Sequence, residues 1–420
     1  MTDRRNIIVG RRAVLAGGAA AVLGACAQRR DPNALVMWAM SYQGDYAPLL
    51  MPAFTAATGI AVEVQSVPWT AAHEKLLTAQ AGGAMPDVVM LPNGWIGEFQ
   101  MIGALAEVPT PKLTAGLFPG LVEDNRVRGR DYAVPWSVAP QVQYYRRDIL
   151  AEAGYDAPPE TWDGWKTMGR AIKRRRPDDH VFLMLLNYEG WLFTMLAQNG
   201  ATLLRDNNTR GNFQTGEARE AFAYHKSLYD EGLAPLVSST EVQDALGAFA
   251  DGQFAVWCGG PTTLLDLHRR RAEIAPKLWG TARVAGPHGP GPTSAKDVSL
   301  CVSAASPRQQ QAWALVRHLT SAPCELRFAR LIGSLPARPD AWPALDVSGP
   351  VLKPFVAQVA HLASSPNVIE WERIQIEVQL IAERIARGLT TIDDGLAQAD
   401  ARVDRILAKR RSLVEAGRIA

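Results

Sequence analysis

Residues 34–91 carry three short apolar runs separated by two helix-length segments, and this order leaves few folds open. Residues 34–38 read ALVMW, residues 60–67 read IAVEVQSV, and residues 86–91 read PDVVML. Runs of this length are strand-like, and the continuous ones suit strands buried on both faces. Between them, residues 46–58 run to Gly59 and residues 69–81 run to Gly82-Gly83, each glycine standing where a helix stops. A β-α-β-α-β order predicts a parallel sheet covered by helices, an α/β fold. Ligands of such sheets sit at the carboxyl ends of the strands. Here those ends are residues 39–45 and 92–95, both polar and aromatic.

At 420 residues the chain is too long for one core, which predicts two domains. It is 47% hydrophobic and 20% charged, a globular composition. Forty-four basic residues against 42 acidic ones leave a net charge of +2, so there is no electrostatic footprint for nucleic acid. The arginine triplets at 174–176 and 269–271 read as solvated helix faces. Cys26, Cys258, Cys301 and Cys324 form no CxxC pair, which excludes a zinc ribbon or a thioredoxin-like site. His73-Glu74 opens like a zinc-protease motif, but Leu77 stands where the second histidine belongs. Neither a metal nor a cofactor is expected.

Residues 1–26 read as an export address. Arg4, Arg5, Arg11 and Arg12 form a basic leader, followed by an apolar run over 13–25 that is too short to span a bilayer. Arg11-Arg12 resembles a twin-arginine signal, and the general export route stays open beside it. Leu23-Gly24-Ala25-Cys26 resembles a bacterial lipobox, which predicts that Cys26 is lipidated and anchors the mature chain to a membrane. Residues 27–33 are a polar linker.

Residues 132–150, YAVPWSVAPQVQYYRRDIL, place strand residues on both sides of Pro135 and Pro140. That pattern predicts a segment leaving one sheet and entering another. Trp136 in such a crossing needs a cover, and the expectation is a ligand at the floor of a cleft. Residues 291–297 and 335–340 are candidates for two further crossings.

Several blocks together resemble the extracellular solute-binding proteins of family 1, the group that includes maltose-binding protein. They are FTAATGIAVEVQSV (54–67), LLTAQAGGAMPDVVMLPNGWIGEFQMIGALAEV (76–108), the 132–150 segment, FQTGEAREAFAYHKSLYDEG (213–232), FADGQFAVWCGGP (249–261), SLCVSAASPRQQQAWALVRHLTS (299–321) and TIDDGLAQADARVDRIL (391–407). The resemblance implies a two-lobed periplasmic-binding-protein fold, each lobe a sheet flanked by helices, joined by hinge crossings. It implies residues 34–138 and 295–338 in lobe 1, and 139–294 and 339–420 in lobe 2. A monomer would close on its ligand by hinge motion and dock on the permease of an ABC importer. The implied ligand is a sugar, a disaccharide or small oligosaccharide, with glycerophosphodiesters and polyols as alternatives.

Sugar recognition needs flat aromatic rings against C–H faces and fixed polar groups for hydroxyls. By analogy, Trp95, Trp136, Trp191 and Trp371 fall at the cleft, while the tryptophans at 38, 69, 162, 165, 257, 279 and 313 read as packing residues. The polar candidates are Ser41, Tyr42, Gln43, Asn93, Gln141, Asn187 and Glu189. Gly260 and Thr262 would bring backbone amides and a hydroxyl to the ligand, and Arg338 a guanidinium fork. Turn formation or helix capping is the competing reading of each polar residue, and capping is the stronger one for Asp45. Cys301 and Cys324 are the more plausible disulfide pair in an oxidising compartment. An exported glycoside hydrolase is the rival class. It needs two carboxylates placed across a cleft, and Asp178-Asp179 and Asp393-Asp394 are adjacent pairs of the helix-capping kind.

Overall fold

The computed structural model describes residues 31–418 apart from residues 32, 189, 243, 271, 295, 296, 346, 364 and 367. The export signal, Cys26 and Glu189 lie outside the described residues. β1 (Leu35–Met40) passes directly into α1 (Ser41–Tyr46), where the sequence predicts a loop. Gly44 makes this possible. A Cβ there would lie 2.8 Å from the Ser66 Cα and would also strike the Ala39 carbonyl, so the short helix lies flush on the strand ends. α2 (Met51–Thr58) closes at Gly59, whose φ of 73° is the left-handed cap that the sequence predicts. β2 (Val62–Val67), α3 (Trp69–Ala81), β3 (Val88–Pro92), α4 (Asn93–Met101) and α5 (Pro119–Asp124) follow, then β4 (Val134–Val138).

β4 is followed by β5 (Val142–Arg146), α6 (Trp162–Arg175), β6 (His180–Leu183), α7 (Gly190–Gln198), α8 (Gly216–Asp230), β7 (Phe254–Gly259), α9 (Thr262–Arg269) and β8 (Trp279–Ala282). The chain continues through β9 (Thr293–Ser294), β10 (Val298–Val302), α10 (Gln309–Leu319), α11 (Ala322–Ile332) and β11 (Leu335–Pro336). It ends with β12 (Leu362–Ala363), α12 (Trp371–Ala386) and α13 (Ile392–Ile406), ahead of a final short helix.

Two sheets organise these elements into two lobes. The first has the order β11-β4-β10-β3-β1-β2, with β1 parallel to both β2 and β3 and with β10 antiparallel to β3 and β4. Buried Asp87 ties it together, accepting from Val36 N at 2.9 Å, Ser306 Oγ at 2.6 Å and Arg308 Nη2 at 2.8 Å. Pro135 does not break β4. The register of β4 against β10 shifts between Val298 and Ser299, and such an irregularity accommodates a residue that cannot donate to the ladder. Cys301 and Cys324 are both buried free thiols, so the expected bond between them is not formed.

The second sheet has the order β8-β5-β7-β6. One face packs Tyr145, Val256 and Phe182 against Trp165, Trp191 and the apolar side of α12. The other packs Tyr144, Trp279 and Phe249 with Phe355. Pleating sends alternate residues of each strand to opposite faces. The chain crosses between the lobes from β4 to β5, from β9 to β10, and after β11. Ala139 N donates to Asp297 Oδ1 at 3.1 Å and Thr293 Oγ1 donates to the Gln141 carbonyl at 3.0 Å, so the first two crossings are bonded side by side. β9 pairs with β12 beside them.

Candidate functional site

The carboxyl ends of β1, β2 and β3 face the second lobe, and each delivers side chains there. β1 runs into Ser41 and Tyr42. β2 ends at Val67, and Pro68 then starts α3 with Trp69 as its first residue. Ser41, Tyr42, Asp45, Ser66 and Pro68 line a depression of about 450 Å³, within the ~300–1,000 Å³ common for small-molecule sites. β3 starts α4 with Asn93 and Trp95. The Trp95 ring meets Trp69 at 6.2 Å and His73 at 4.8 Å, both edge-on, and His73 Nε2 lies 2.7 Å from Glu98 Oε2. Trp69 keeps 38% of its surface exposed, which leaves ring area for a ligand.

From the second lobe, β7 leads through Gly260-Pro261 into α9. Tyr42 faces Asp266 on α9, and that carboxylate's charge, with burial, holds the phenol above its usual pKa. Burial likewise raises the Asp266 carboxyl, against the pull of Arg269. Arg269 donates to the Tyr46 hydroxyl and lies 5.6 Å from the centre of its ring. Farther along, Trp95 Nε1 donates to Glu372 Oε2 on α12 at 3.2 Å. Behind α1 the lobes nearly touch at Gly333, where a Cβ would lie 2.9 Å from the Pro261 carbonyl. These contacts describe two lobes drawn together over a polar and aromatic cleft. Among the described residues no cluster of His, Cys, Asp or Glu could hold a metal.

Residues 50–350 match the family described as bacterial extracellular solute-binding protein. The chain belongs to that family. Its structure resembles that of the sugar-binding protein MalE from the phytopathogen Xanthomonas citri, with 35% identity and a TM-score of 0.85 over 91% of this chain and 99% of that one. A protein of Brucella abortus (strain 2308) described as "Putative binding protein" is 26% identical over 94% of this chain and 98% of its own length. A "Probable ABC transporter-binding protein" of Deinococcus radiodurans is 28% identical over 66% and 69%. The chain is therefore a binding protein acting outside the cytoplasm, and the glycoside hydrolase reading is set aside.

In this solute-binding protein the predicted site residues divide. Ser41 and Tyr42 line the depression, Tyr42 and Trp95 each meet a carboxylate of the other lobe, and Thr262 lies against Gly333 across the lobes, with Gln43 half-buried on α1. Asn93 opens the helix that carries Trp95, and Gly260 lies beside Gln141 of the hinge. Asp45 lines the depression instead of capping a helix. The other predicted residues that the structure describes lie elsewhere. Trp136 is fully buried and stacks on Phe328 of α11 at 4.3 Å and 9°, so protein and not ligand covers its ring. Trp191 donates to the Leu183 carbonyl at 3.2 Å inside the second core. Trp371 packs edge-on against Phe193 in the same core, although its neighbour Glu372 reaches the cleft. Arg338 Nε donates to the Thr320 carbonyl at 2.6 Å, and its backbone N to Glu325, so its guanidinium joins elements of the first lobe. Gln141 is buried in the hinge and donates to the Ala139 carbonyl. Asn187 exchanges two 2.8 Å bonds with Ser239 in an exposed turn.

Several cleft residues were not predicted as site residues, among them Ser66, Trp69, His73, Asp266 and Glu372. The place of Trp69 was legible, since it directly follows Val67-Pro68 at a strand's carboxyl end, but not that its ring stays open. Asp266 and Glu372 sit on helices whose facing direction only the packing reveals.

Proposed function

We propose that this solute-binding protein captures a neutral sugar, a disaccharide or small oligosaccharide, between its lobes by hinge closure. It then presents the closed form to the permease of an ABC importer, held to the membrane by a lipid on Cys26. The aromatic corner of Trp69, His73 and Trp95 beside the Ser41–Ser66 depression carries this reading. Exposed ring surface suits the C–H faces of a pyranose, where burial gains roughly 25 cal/mol per Å². Ser41, Asn93, Thr262 and the Asp266 carboxylate supply hydroxyl partners at the same surface. The likeness to the Xanthomonas sugar-binding protein supports the ligand class.

A thermal-shift screen of maltose, trehalose, maltotriose, sugar phosphates, glycerophosphodiesters and polyols tests it. Neutral sugars should raise the melting temperature without being turned over, since a ligand at 100 times its Kd stabilises by about 2.7 kcal/mol. A rise with phosphate esters alone would overturn the neutral-sugar assignment. The anchor is tested by fractionating cells expressing the full chain. Cys26→Ser should move the protein from the membrane to the soluble exported fraction, and retention of the variant on the membrane would refute lipidation.

A further inference from the structure

A hydrogen-bonded chain runs from the core of the first lobe to the cleft. Asn125, at the end of α5 and fully buried, donates from Nδ2 to Ser299 Oγ at 2.7 Å. Ser299, on β10 and 1% exposed, donates in turn to Asn93 Oδ1 at 3.0 Å. A serine hydroxyl has one proton to give. Because Asn125 occupies the hydroxyl as a donor, that proton goes to Asn93. The Asn93 amide is thereby held with its oxygen inward, and its Nδ2 has no partner among the described residues. The chain costs something, since Asn125 Oδ1 is buried without a partner. A buried polar group left unmatched is retained only where its alternatives are worse or where it serves a purpose.

We propose that Asn125 and Ser299 are positioning residues that lock the Asn93 amide so that it offers the cleft two N–H donors and no acceptor. The acceptor this selects is an oxygen lone pair, a hydroxyl or ring oxygen of the bound sugar. This rests on the sugar reading above. A fixed donor also binds without first losing rotamer freedom, which favours affinity.

Two measurements on the full chain decide it. Side-chain amide NMR of the ligand-free protein, with Asn93→Asp and Asn125→Asp used to assign the two NH₂ pairs, reads the orientation directly. The Asn125 pair should be protected from solvent exchange, and the Asn93 pair should be ordered yet exchanging. Ser299→Ala should disorder the Asn93 pair. An Asn93 pair indifferent to Ser299→Ala would overturn the proposal whatever the ligand is. With maltose and trehalose as probes, Ser299→Ala should weaken binding about five- to tenfold in the parent. In an Asn93→Ala background it should have less than about a twofold effect. Equal losses in both backgrounds would mean that Ser299 merely supports the sheet. Asn125→Asp replaces the donor with an acceptor that competes for the Ser299 proton, and should mimic Ser299→Ala. If neither sugar binds, the sugar reading fails while the NMR result still judges the relay.

Discussion

At the scale of single residues, two tryptophans exchange the roles that their local sequence suggests. Trp136 lies between prolines, which reads as an exposed crossing, yet it is interior and stacked on Phe328. Trp69 opens a helix in what reads as a packing position, yet it is the ring left open at the cleft. Trp136→Ala should therefore lower unfolding free energy by about 3–5 kcal/mol in denaturant titration. Trp69→Ala should leave the ligand-free melting temperature nearly unchanged while weakening sugar binding in calorimetry. Asp297 adds a pH dependence. Burial pushes its carboxyl up to about 7, opposed by the hydrogen bond from Ala139 N and reinforced by the charge of Asp124. An unfolded Asp titrates near 3.9. The folded state therefore takes up a proton, and the contribution to stability is whole below about pH 4 and is lost as pH rises through 7. Melting temperatures measured from pH 4.5 to 8 should fall more steeply for the parent than for Asp297→Asn, with the variant the more stable at pH 8.

At the scale of elements, two glycines with nearly the same backbone do different things. Gly59 closes α2 at φ 73° with nothing within 4 Å of a Cβ placed on it. Gly333 closes α11 at φ 77°, but there a Cβ would lie 2.9 Å from the Pro261 carbonyl and 3.3 Å from the Thr262 Cα of the other lobe. Alanine at either position incurs the left-handed cost of about 1–2 kcal/mol. Only Gly333→Ala should also weaken ligand binding, because only there does the side chain intrude between closing lobes. Equal affinities for the two variants in titration calorimetry would refute a role for this approach in closure. β4 teaches a related lesson. Pro135 reads as a break because it cannot donate to a ladder, but a shift in the pairing of β4 with β10, with Trp136 as the extra residue, absorbs it. The partner strand, far away in sequence, decides whether the proline ends the strand.

At the scale of the whole molecule, polar contacts reach across the cleft between the lobes. Arg269 reaches Tyr46, and Trp95 reaches Glu372 at 3.2 Å. The Arg269 contact is exposed and contributes little, and open and closed forms should differ by a free energy that a ligand can override. An Arg269→Ala, Glu372→Ala double variant should show a larger ligand-free radius of gyration in small-angle scattering than the parent. A saturating sugar should return it to the compact value. No expansion would mean that the hinge itself, through Asp297 and Thr293, holds the lobes together.

The sequence by itself determined the α/β class, the parallel run of β1, β2 and β3, the span of α3 and the glycine at the end of α2. Those features follow from local periodicity and backbone chemistry, which the residues carry wherever they are placed. It also placed Ser41, Tyr42, Asn93 and Trp95 just past the carboxyl ends of β1 and β3, because a parallel sheet puts its strand ends on one edge. The tertiary structure alone decided which aromatic rings stay open and which charged groups are already engaged. Arg338 is held by Thr320, Trp371 is covered by Phe193, and Asp266 and Glu372 come to the cleft from helices of the other lobe. Each of these outcomes depends on a partner distant in the chain, and that distance is what a one-dimensional pattern does not contain.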